Sequence, residues 1–394
     1  MLGNYYLLVR FGETVIPITT STLRELTIVQ DYNKFLPEIR LRIDDATGIL
    51  THIAPFDKNL SRVYVEFALN SDTTDKNAMT FLVYIREPSG TQSTPAGEYD
   101  ITGFLDVNKI FTPDYTRGFD GSIKTNLESI ATDELKISKT DVSTSVDYEK
   151  NLIQPTWTNA QFLNYLKDNL IGQNGDWGYK CFVKVYKQKS TFVFRSVSEM
   201  IEDQVVYKFM LYDKPYEDRN PILEYYIYDN YKIYGVFGAM QQKYSYFNFD
   251  TGALVDDEED VQSYMSLSDY FLIDGGDTTD SNEIQSTGRS NDFTSDFKGR
   301  VKSNYGNRLV SLAKIWITTK GMPNIAPGQT VQLFFPHGSM GKNLYSYQYS
   351  GYWLCERVVH NFGDIFLTKL LLTRQGIDTD KSTSLLKATK TKSK

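Results

Sequence analysis

The chain has 394 residues, which is long enough for two to four domains with hydrophobic cores of their own. Its formal net charge of −7 gives no sign of the basic face that a general nucleic-acid-binding protein needs. Hydrophobic residues make up 41% and charged residues 23%, a balance that excludes global disorder. The 28 tyrosines and 23 phenylalanines favour a protein rich in β-strands and contact surfaces, because aromatic rings suit half-buried strand positions.

Residues 1–110 are predicted to form a first small β-barrel. Runs of β-branched and aromatic residues alternate here with Gly, Pro, Asn and Ser turn signals. The run Ile39–Ile43 alternates apolar and charged residues, as a half-exposed strand does. A series of short strands at this spacing is typical of a barrel. The predicted strands are Tyr5–Val9, Val15–Ile18, Leu23–Val29, Ile39–Ile43, Arg62–Leu69, Met79–Ile85 and Gly97–Phe104.

Residues 111–212 are predicted to form a small α+β domain. Apolar residues recur at helical spacing over Ile123–Leu135. Thr158 is the predicted N-cap of an amphipathic helix, since its hydroxyl can accept a hydrogen bond from a first-turn N–H. A hairpin over residues 181–194 and a short helix over residues 196–202 complete the predicted domain.

Residues 213–250 and 297–376 are predicted to form a second, split β-barrel. The stretch Lys314–Thr373 carries four short β-runs separated by Pro, Gly and Asn, and tyrosine-rich runs between residues 223 and 249 add further strands. This pattern is similar to that of residues 1–110, so we infer a duplicated barrel. The expected fold class is mainly β with α+β inserts, namely two similar small antiparallel β-barrels plus smaller inserted domains.

Two further segments are predicted to lie outside the barrels. Residues 251–296 are expected to be an acidic, loop-rich insert, because the run Asp256–Asp260 places like charges side by side and such runs are usually solvated. Residues 377–394 are predicted to be a Lys-rich flexible tail. Neither a signal peptide nor an apolar run long enough to span a membrane is expected.

The residue types that carry catalysis or metal binding are scattered along the sequence. The histidines His52, His337 and His360 have no partner at metal-ligand spacing and are interpreted as structural residues beside turns or strand ends. Residues 338–343 lack the spacing of a phosphate-binding loop, and the acidic residues within 274–283 do not match a calcium loop. We therefore expect no catalytic, cofactor-binding or metal-binding residue, and no cofactor.

The cysteines and tryptophans are also interpreted structurally. Cys181 and Cys355 lie in apolar runs and are expected to be buried free thiols, which suits folding in a reducing cytoplasm. Trp316 and Trp353 lie in predicted strands, so we expect them in the core or at a subunit interface, with a sugar-stacking platform as the alternative. Trp157, just before a helix, is expected to staple that helix onto the domain core.

The closing strands and the middle helix resemble those of phage tail baseplate hub proteins, a family related to late control protein D and to type VI secretion spike hub domains. The matching segments are Pro327–Leu333, Gly351–Leu354, Val358–His360 and Phe366–Thr373, together with Trp157–Thr158 and Phe162–Leu166 in the middle of the chain. Their order, the four-part layout and the polar tail agree with the family, whereas residues 251–296 have no counterpart in it.

The resemblance implies a structural, non-enzymatic protein of the virion tail baseplate, made in the host cytoplasm. It implies a homotrimeric ring that adapts the sixfold tail tube to the threefold central spike, because three chains with two barrels each give six similar units. The implied partners are tail tube proteins, a central spike or tail lysozyme protein, and baseplate wedge proteins. No specific nucleic-acid contact is implied, although DNA can pass through such a ring when the viral genome is ejected.

Two other functions stay open at the level of the sequence. A carbohydrate- or receptor-binding β-protein of the tail would use Trp and Tyr rings as stacking platforms. A hydrolase, such as a cell-wall enzyme fused into the tail, would need a catalytic constellation that the sequence does not display. The β-pattern therefore favours the structural hub.

Overall fold

The computed structural model describes residues 5–11, 14–19, 21–44, 63–69, 79–89, 97–112, 116–173, 175–186, 189–211, 219–229, 241–248, 252–260, 281–283, 303, 313–335, 349–363 and 365–374. Within these ranges the protein is mainly β, so the fold class predicted from the sequence is confirmed. No helix in them has the length and apolar content that crossing a bilayer requires.

The secondary structure consists of 22 strands and three α-helices in these ranges. The strands are β1 (Tyr5–Phe11), β2 (Thr14–Pro17), β3 (Leu23–Asp31), β4 (Glu38–Asp44), β5 (Val63–Leu69), β6 (Met79–Ser89), β7 (Glu98–Leu105), β8 (Arg117–Phe119), β9 (Lys139–Val142), β10 (Leu152–Gln154), β11 (Tyr179–Tyr186), β12 (Lys189–Ser196), β13 (Tyr207–Met210), β14 (Asn220–Pro221), β15 (Glu224–Asp229), β16 (Gln241–Asn248), β17 (Ala253–Asp260), β18 (Ser281–Glu283), β19 (Ala313–Lys320), β20 (Thr330–Phe334), β21 (Gly351–Phe362) and β22 (Phe366–Arg374). The helices are α1 (Ile123–Ser129), α2 (Asn159–Asn169) and α3 (Val197–Glu202), with a π-helical turn at Ile130–Glu134 and a 3-10 turn at Thr144–Val146.

Fourteen of the described strands form one large sheet. Its N-terminal part runs in the order β2–β1–β5–β6–β7–β4–β3, and every neighbouring pair is antiparallel. In β4, Ile39, Leu41 and Ile43 are buried while Arg40 and Arg42 are exposed, because successive strand residues point to opposite faces. All seven strands predicted in this region are confirmed.

The C-terminal part of the sheet runs in the order β13–β20–β21–β22–β19–β15. It curls back on itself through residues 220–229, because β14 pairs with β13 while β15 pairs with β19. Between these pairings the Leu223 N–H donates to the Thr318 carbonyl at 2.8 Å, so the segment bridges both neighbours and closes the barrel. The barrel interior holds Phe209, Ile222, Ala313, Ile315, Ile317, Ile325, Val331, Leu333, Phe335, Trp353, Cys355, Val358, Leu370 and Leu372.

Strand β21 belongs to both parts of the large sheet. Residues 351–354 pair with β20, residues 357–361 pair with β3, and the other edge of β21 pairs with β22. The register with β22 shifts between Cys355 and Arg357, so Glu356 is the extra residue of a β-bulge. The two barrel-like parts are therefore joined by a continuous hydrogen-bonded ladder.

The middle segment, residues 117–202, packs against the N-terminal sheet and shares one hydrophobic cluster with it. The predicted cap of α2 is confirmed, since Thr158 and Gln161 form a reciprocal capping box. Ser196 and Glu199 form the same motif at α3. Strands β11, β12 and β9 make a small sheet, and β8 with β10 makes another. Strand β13 follows this segment in the chain and pairs with β20 of the C-terminal barrel.

The acidic run was predicted to be a loop, and that prediction is wrong for Asp256–Asp260. These residues lie in β17, which pairs antiparallel with β16, with Lys243 opposite Glu258. A strand assigns neighbouring residues to opposite faces, so a run of like charges is compatible with it. Other predictions fall outside the described residues, namely those on His52, His337, residues 232–237, residues 338–343 and the tail at 377–394.

Candidate interaction surface

The outer face of the C-terminal barrel carries a cluster of exposed aromatic side chains, which we name the tyrosine groove. It consists of Tyr225, Tyr226, Tyr228 and Trp316, and encloses an open volume of about 380 Å³. The three tyrosines are 48%, 60% and 45% exposed, respectively. Large aromatic rings at this exposure leave apolar surface in contact with water, and they are a common feature of binding surfaces.

The strand register explains how the sequence builds this groove. Tyr226 lies opposite Trp316 on β19, which lies opposite Leu371 on β22. Two residues along, Thr318 lies opposite Lys369, so the next row adds a hydroxyl and an ammonium group. The Tyr226 and Tyr228 rings meet edge to face with centroids 4.5 Å apart, an arrangement that aromatic pairs favour.

The second feature is a group of polar and charged side chains, which we name the junction network. It lies where β3, β11, β19 and β21 meet. Its members are Asp31, Asn33, Lys180, Lys314, Glu356 and Arg357. The Asp31 carboxylate, 1% exposed, accepts from Nε and Nη2 of Arg357, both at 2.7 Å. Glu356 faces Lys314 Nζ at 2.8 Å and accepts from the Asn33 amide at 3.1 Å. The bulge at Glu356 thus directs a carboxylate into the seam between the two parts of the sheet.

Lys180 connects the middle segment to this network. Its Nζ donates to Asn33 Oδ1 at 2.9 Å and lies 4.8 Å from the centroid of the Tyr32 ring. Burial lowers the pKa of Lys180 to about 8, although Glu356 and Asp31 partly offset the effect. Burial together with the same two carboxylates raises the pKa of Tyr32. In this network the two carboxylates therefore affect the pKa of both Lys180 and Tyr32. The network lies where the N-terminal sheet, the middle segment and the C-terminal barrel meet.

His360 lies inside β21 and is buried, where the sequence placed it at a strand end. Its Nδ1 is 3.3 Å from the Thr368 hydroxyl, and its ring packs against Phe362 and Phe366. Burial lowers the pKa of His360 to about 4, so the imidazole is neutral at pH 7. The predicted hydrogen-bonded histidine is confirmed, and the side chain is enclosed by the protein.

The tryptophans divide between core and surface. Trp353 is 1% exposed, and its indole N–H donates to the Tyr349 carbonyl at 3.0 Å, so it belongs to the barrel core as predicted. Trp316 is half-buried and lines the tyrosine groove. Trp157 was expected to staple α2 onto the core, but it is 37% exposed and packs against the Tyr165 ring. That expectation is wrong, because the Trp157 ring contacts Tyr165, nearly two helical turns inside α2, and stays partly exposed.

The two thiols behave as the sequence suggests. Cys181 and Cys355 are buried and form no disulfide, and burial raises the pKa of both well above the ordinary thiol value. Among the residues that the structure describes, no group of three or more His, Cys, Asp or Glu side chains is placed to hold a metal ion.

Sequence reasoning found the tyrosine-rich runs but did not identify which tyrosines face outward. The available signal was the order Glu224-Tyr225-Tyr226-Ile227-Tyr228, in which Tyr226 and Tyr228 share the two-residue period of a strand face. The junction network left no local signal, because Asp31 and Arg357 are separated by 326 positions in the sequence.

No protein-family model matches this chain, and neither does any curated protein. Solved structures do match it. A tail protein from Neisseria meningitidis MC58 is 13% identical with a TM-score of 0.56, over 95% of this chain and 98% of that chain. The 43 kDa tail protein of prophage MuSo2 from Shewanella oneidensis is 11% identical with a TM-score of 0.55, over 95% of this chain and 99% of that chain. The chain therefore has the same fold as these two tail proteins.

Proposed function

We propose that this protein is the structural baseplate hub of a phage tail. The observation that carries the proposal is the extent of the fold match, which covers 95% of this chain and 98% and 99% of the two tail proteins. A match over nearly the whole of both chains favours a shared overall architecture over a single borrowed domain. The sequence resemblance to hub proteins points the same way.

In this proposal three chains form a ring that adapts the sixfold tail tube to the threefold central spike. Residues 1–110, and residues 213–250 with 297–376, act as the two barrels of each chain, so a trimer presents six similar units. The ladder through β21 supports this role, because an adapter must hold its two barrels in a fixed relative orientation.

The proposed setting is the tail baseplate of a virion, with the chain made in the host cytoplasm. The partners are the tail tube proteins, a central spike or tail lysozyme protein, and baseplate wedge proteins. Their contacts use shape and aromatic surface, and the role is non-enzymatic. DNA passes through the ring without sequence-specific contact.

The mass of the purified protein in solution tests the proposal. Light scattering coupled to size-exclusion chromatography should give 3 × 45.2 kDa, or about 136 kDa, at micromolar concentration. Negative-stain images should show a hollow ring with threefold symmetry. A monodisperse 45.2 kDa species at every concentration up to about 50 μM, where most stable oligomers persist, would contradict the hub.

The tyrosine groove favours a second candidate, a carbohydrate- or receptor-binding protein of the tail. Sugar rings stack on exposed aromatic faces, and Tyr226 is 60% exposed. Tyr226→Ala should then abolish binding on a glycan array while folding is retained. Tyr84→Ala, which removes a tyrosine that is 49% exposed in β6, is the matched control. Equal signals from both variants would remove this candidate.

A further inference from the structure

A large depression lies between the end of β7 and the middle segment, and four lysines line it. We name it the lysine cleft, after Lys109, Lys136, Lys139 and Lys189, and its volume is about 800 Å³. All four lysines are exposed. Phe111 at the same cleft is 54% exposed and packs edge to face on Phe104, which adds an apolar contact point.

The charges of this cleft are unbalanced. Lys109 Nζ lies 3.0 Å from Glu134, which also faces Arg117 at 3.4 Å. Lys136, Lys139 and Lys189 form no ion pair with any residue in the described ranges. Among the described residues that line the cleft, Asp106 is the one acidic residue. A local positive excess in a chain of net charge −7 marks this surface as different from the remainder.

The backbone at two of these lysines is strained. Lys109 has φ of 50° and Lys136 has φ of 57°, and across the described part of the chain they are the two non-glycine residues with positive φ. Glycine or asparagine adopts this left-handed conformation at lower cost, so a long cationic side chain is an unexpected occupant. Strained backbone of this kind is concentrated at binding sites, where the side chain is needed for a ligand.

The shape of the cleft selects the class of ligand. Its volume falls in the range of about 300–1,000 Å³ that is typical of sites enclosing a small ligand or a short segment of chain. The three lysines without ion pairs favour a ligand with carboxylates or phosphates, and Phe111 favours one with an apolar group. A short acidic segment with an apolar end meets both demands, whereas a nucleic-acid duplex would need a long continuous basic track.

The chain itself contains such a segment. Strand β17 begins with Ala253-Leu254-Val255 and continues with the acidic run Asp256–Asp260. It belongs to a three-stranded sheet with β16 and β18 that is separate from the large sheet. We propose that the lysine cleft binds β17 of a second copy of this chain. This inference rests on the proposed trimer, in which such a head-to-tail contact repeated three times closes a ring.

The first arm of the test compares the assembly of two full-length variants with that of the wild type. In the cleft variant, Lys136→Asn, Lys139→Gln and Lys189→Gln remove three charges, and asparagine tolerates the left-handed backbone. Each exposed ion pair contributes a factor of about 1.4 to 5, so the dissociation constant of each subunit contact should rise by about threefold to a hundredfold. Lys320→Gln, which removes an exposed lysine at the end of β19, is the matched control and should assemble normally.

A charge exchange supplies the second arm. A chain carrying Lys136→Glu and Lys139→Glu should fail to assemble, and so should a chain carrying Asp257→Lys and Glu258→Lys. A chain carrying all four substitutions should assemble, because every contact of the ring then joins an acidic cleft to a basic strand. Circular dichroism confirms that each chain is folded. Recovery of assembly in the chain with all four substitutions would support the contact, because substitutions that merely disrupt the fold do not compensate one another.

The outcomes separate this inference from the hub proposal. A cleft variant that forms trimers as tightly as the wild type would overturn the inference and leave the hub intact. A wild type that is monomeric would overturn both. Lysine variants that assemble normally but lose binding to a 30-base-pair DNA duplex would reassign the cleft to nucleic acid and overturn the inference.

Discussion

Removing the charge of Asp31 should destabilise the protein by breaking the ion pair that links β3 to β21. Asp31→Asn keeps an acceptor for the Asn33 backbone N–H, which is bound at 2.8 Å, but leaves the Arg357 guanidinium without its counter-charge. Breaking a buried ion pair costs about 3–5 kcal/mol. The Arg357 side chain is 35% exposed, so water solvates part of the released charge. We therefore expect a loss of about 2–3 kcal/mol, below the fully buried case.

The free energy of unfolding from urea titration, monitored by tryptophan fluorescence at fixed protein concentration, measures this loss. Asp100→Asn is the matched control, because its pair with Arg42 at 2.9 Å is 40% and 48% exposed and should contribute less than about 1 kcal/mol. The double variant Asp31→Asn/Arg357→Met should recover part of the loss, since no uncompensated charge remains. Equal destabilisation by Asp31→Asn and Asp100→Asn would refute the reasoning.

Three further predictions concern the buried groups. Trp353→Ala should cost about 3–5 kcal/mol of unfolding free energy in the same urea titration, while Trp157→Ala should cost clearly less; similar costs would contradict the assignment of Trp353 to the core. Because the folded pKa of Lys180, about 8, lies below its ordinary value of 10.5, the unfolded chain binds more protons between these values, so stability should rise with pH across that window. Lys180→Met should flatten this rise in unfolding titrations at pH 8 and pH 10.5, and an unchanged slope would show that Lys180 is solvated. The folded pKa of His360 is also lowered, from 6.5 to about 4, so the stability that it contributes is present above pH 6.5 and lost as the pH falls towards 4. His360→Phe should lose less stability over that acid range than the wild type, and parallel acid curves would contradict a buried neutral imidazole.

Local patterns in the sequence predicted most of the elements. The alternation in Ile39–Ile43 identified a half-exposed strand, and Thr158 identified the start of α2, because each depends on residues a few positions apart. Composition misled at Asp256–Asp260, where the chain forms a strand that pairs with β16. Backbone hydrogen bonds to β16 make this segment a strand, and the acidic run itself carries no sign of that pairing.

Features that join distant parts of the chain were beyond local reasoning. The sharing of β21 between two barrels depends on the bulge at Glu356, and a bulge leaves no fixed pattern in a strand sequence. Likewise the tyrosine groove requires the register of β15 against β19, which sets Tyr226 opposite Trp316. The candidate surface could be predicted as tyrosine-rich, but its exact members needed the three-dimensional pairing.

The pairing of β3 with β21 also has a consequence for how the protein is made. Asp31 and Arg357 are 326 positions apart, and ribosomes add about 5–20 residues per second, so roughly 16–65 s separate their synthesis. During that interval the N-terminal sheet has one edge without its final neighbour, and open strand edges are sites of aggregation. The nascent N-terminal half is therefore exposed to aggregation at this edge for up to about a minute. The exposure ends when β21 leaves the ribosome and pairs with β3.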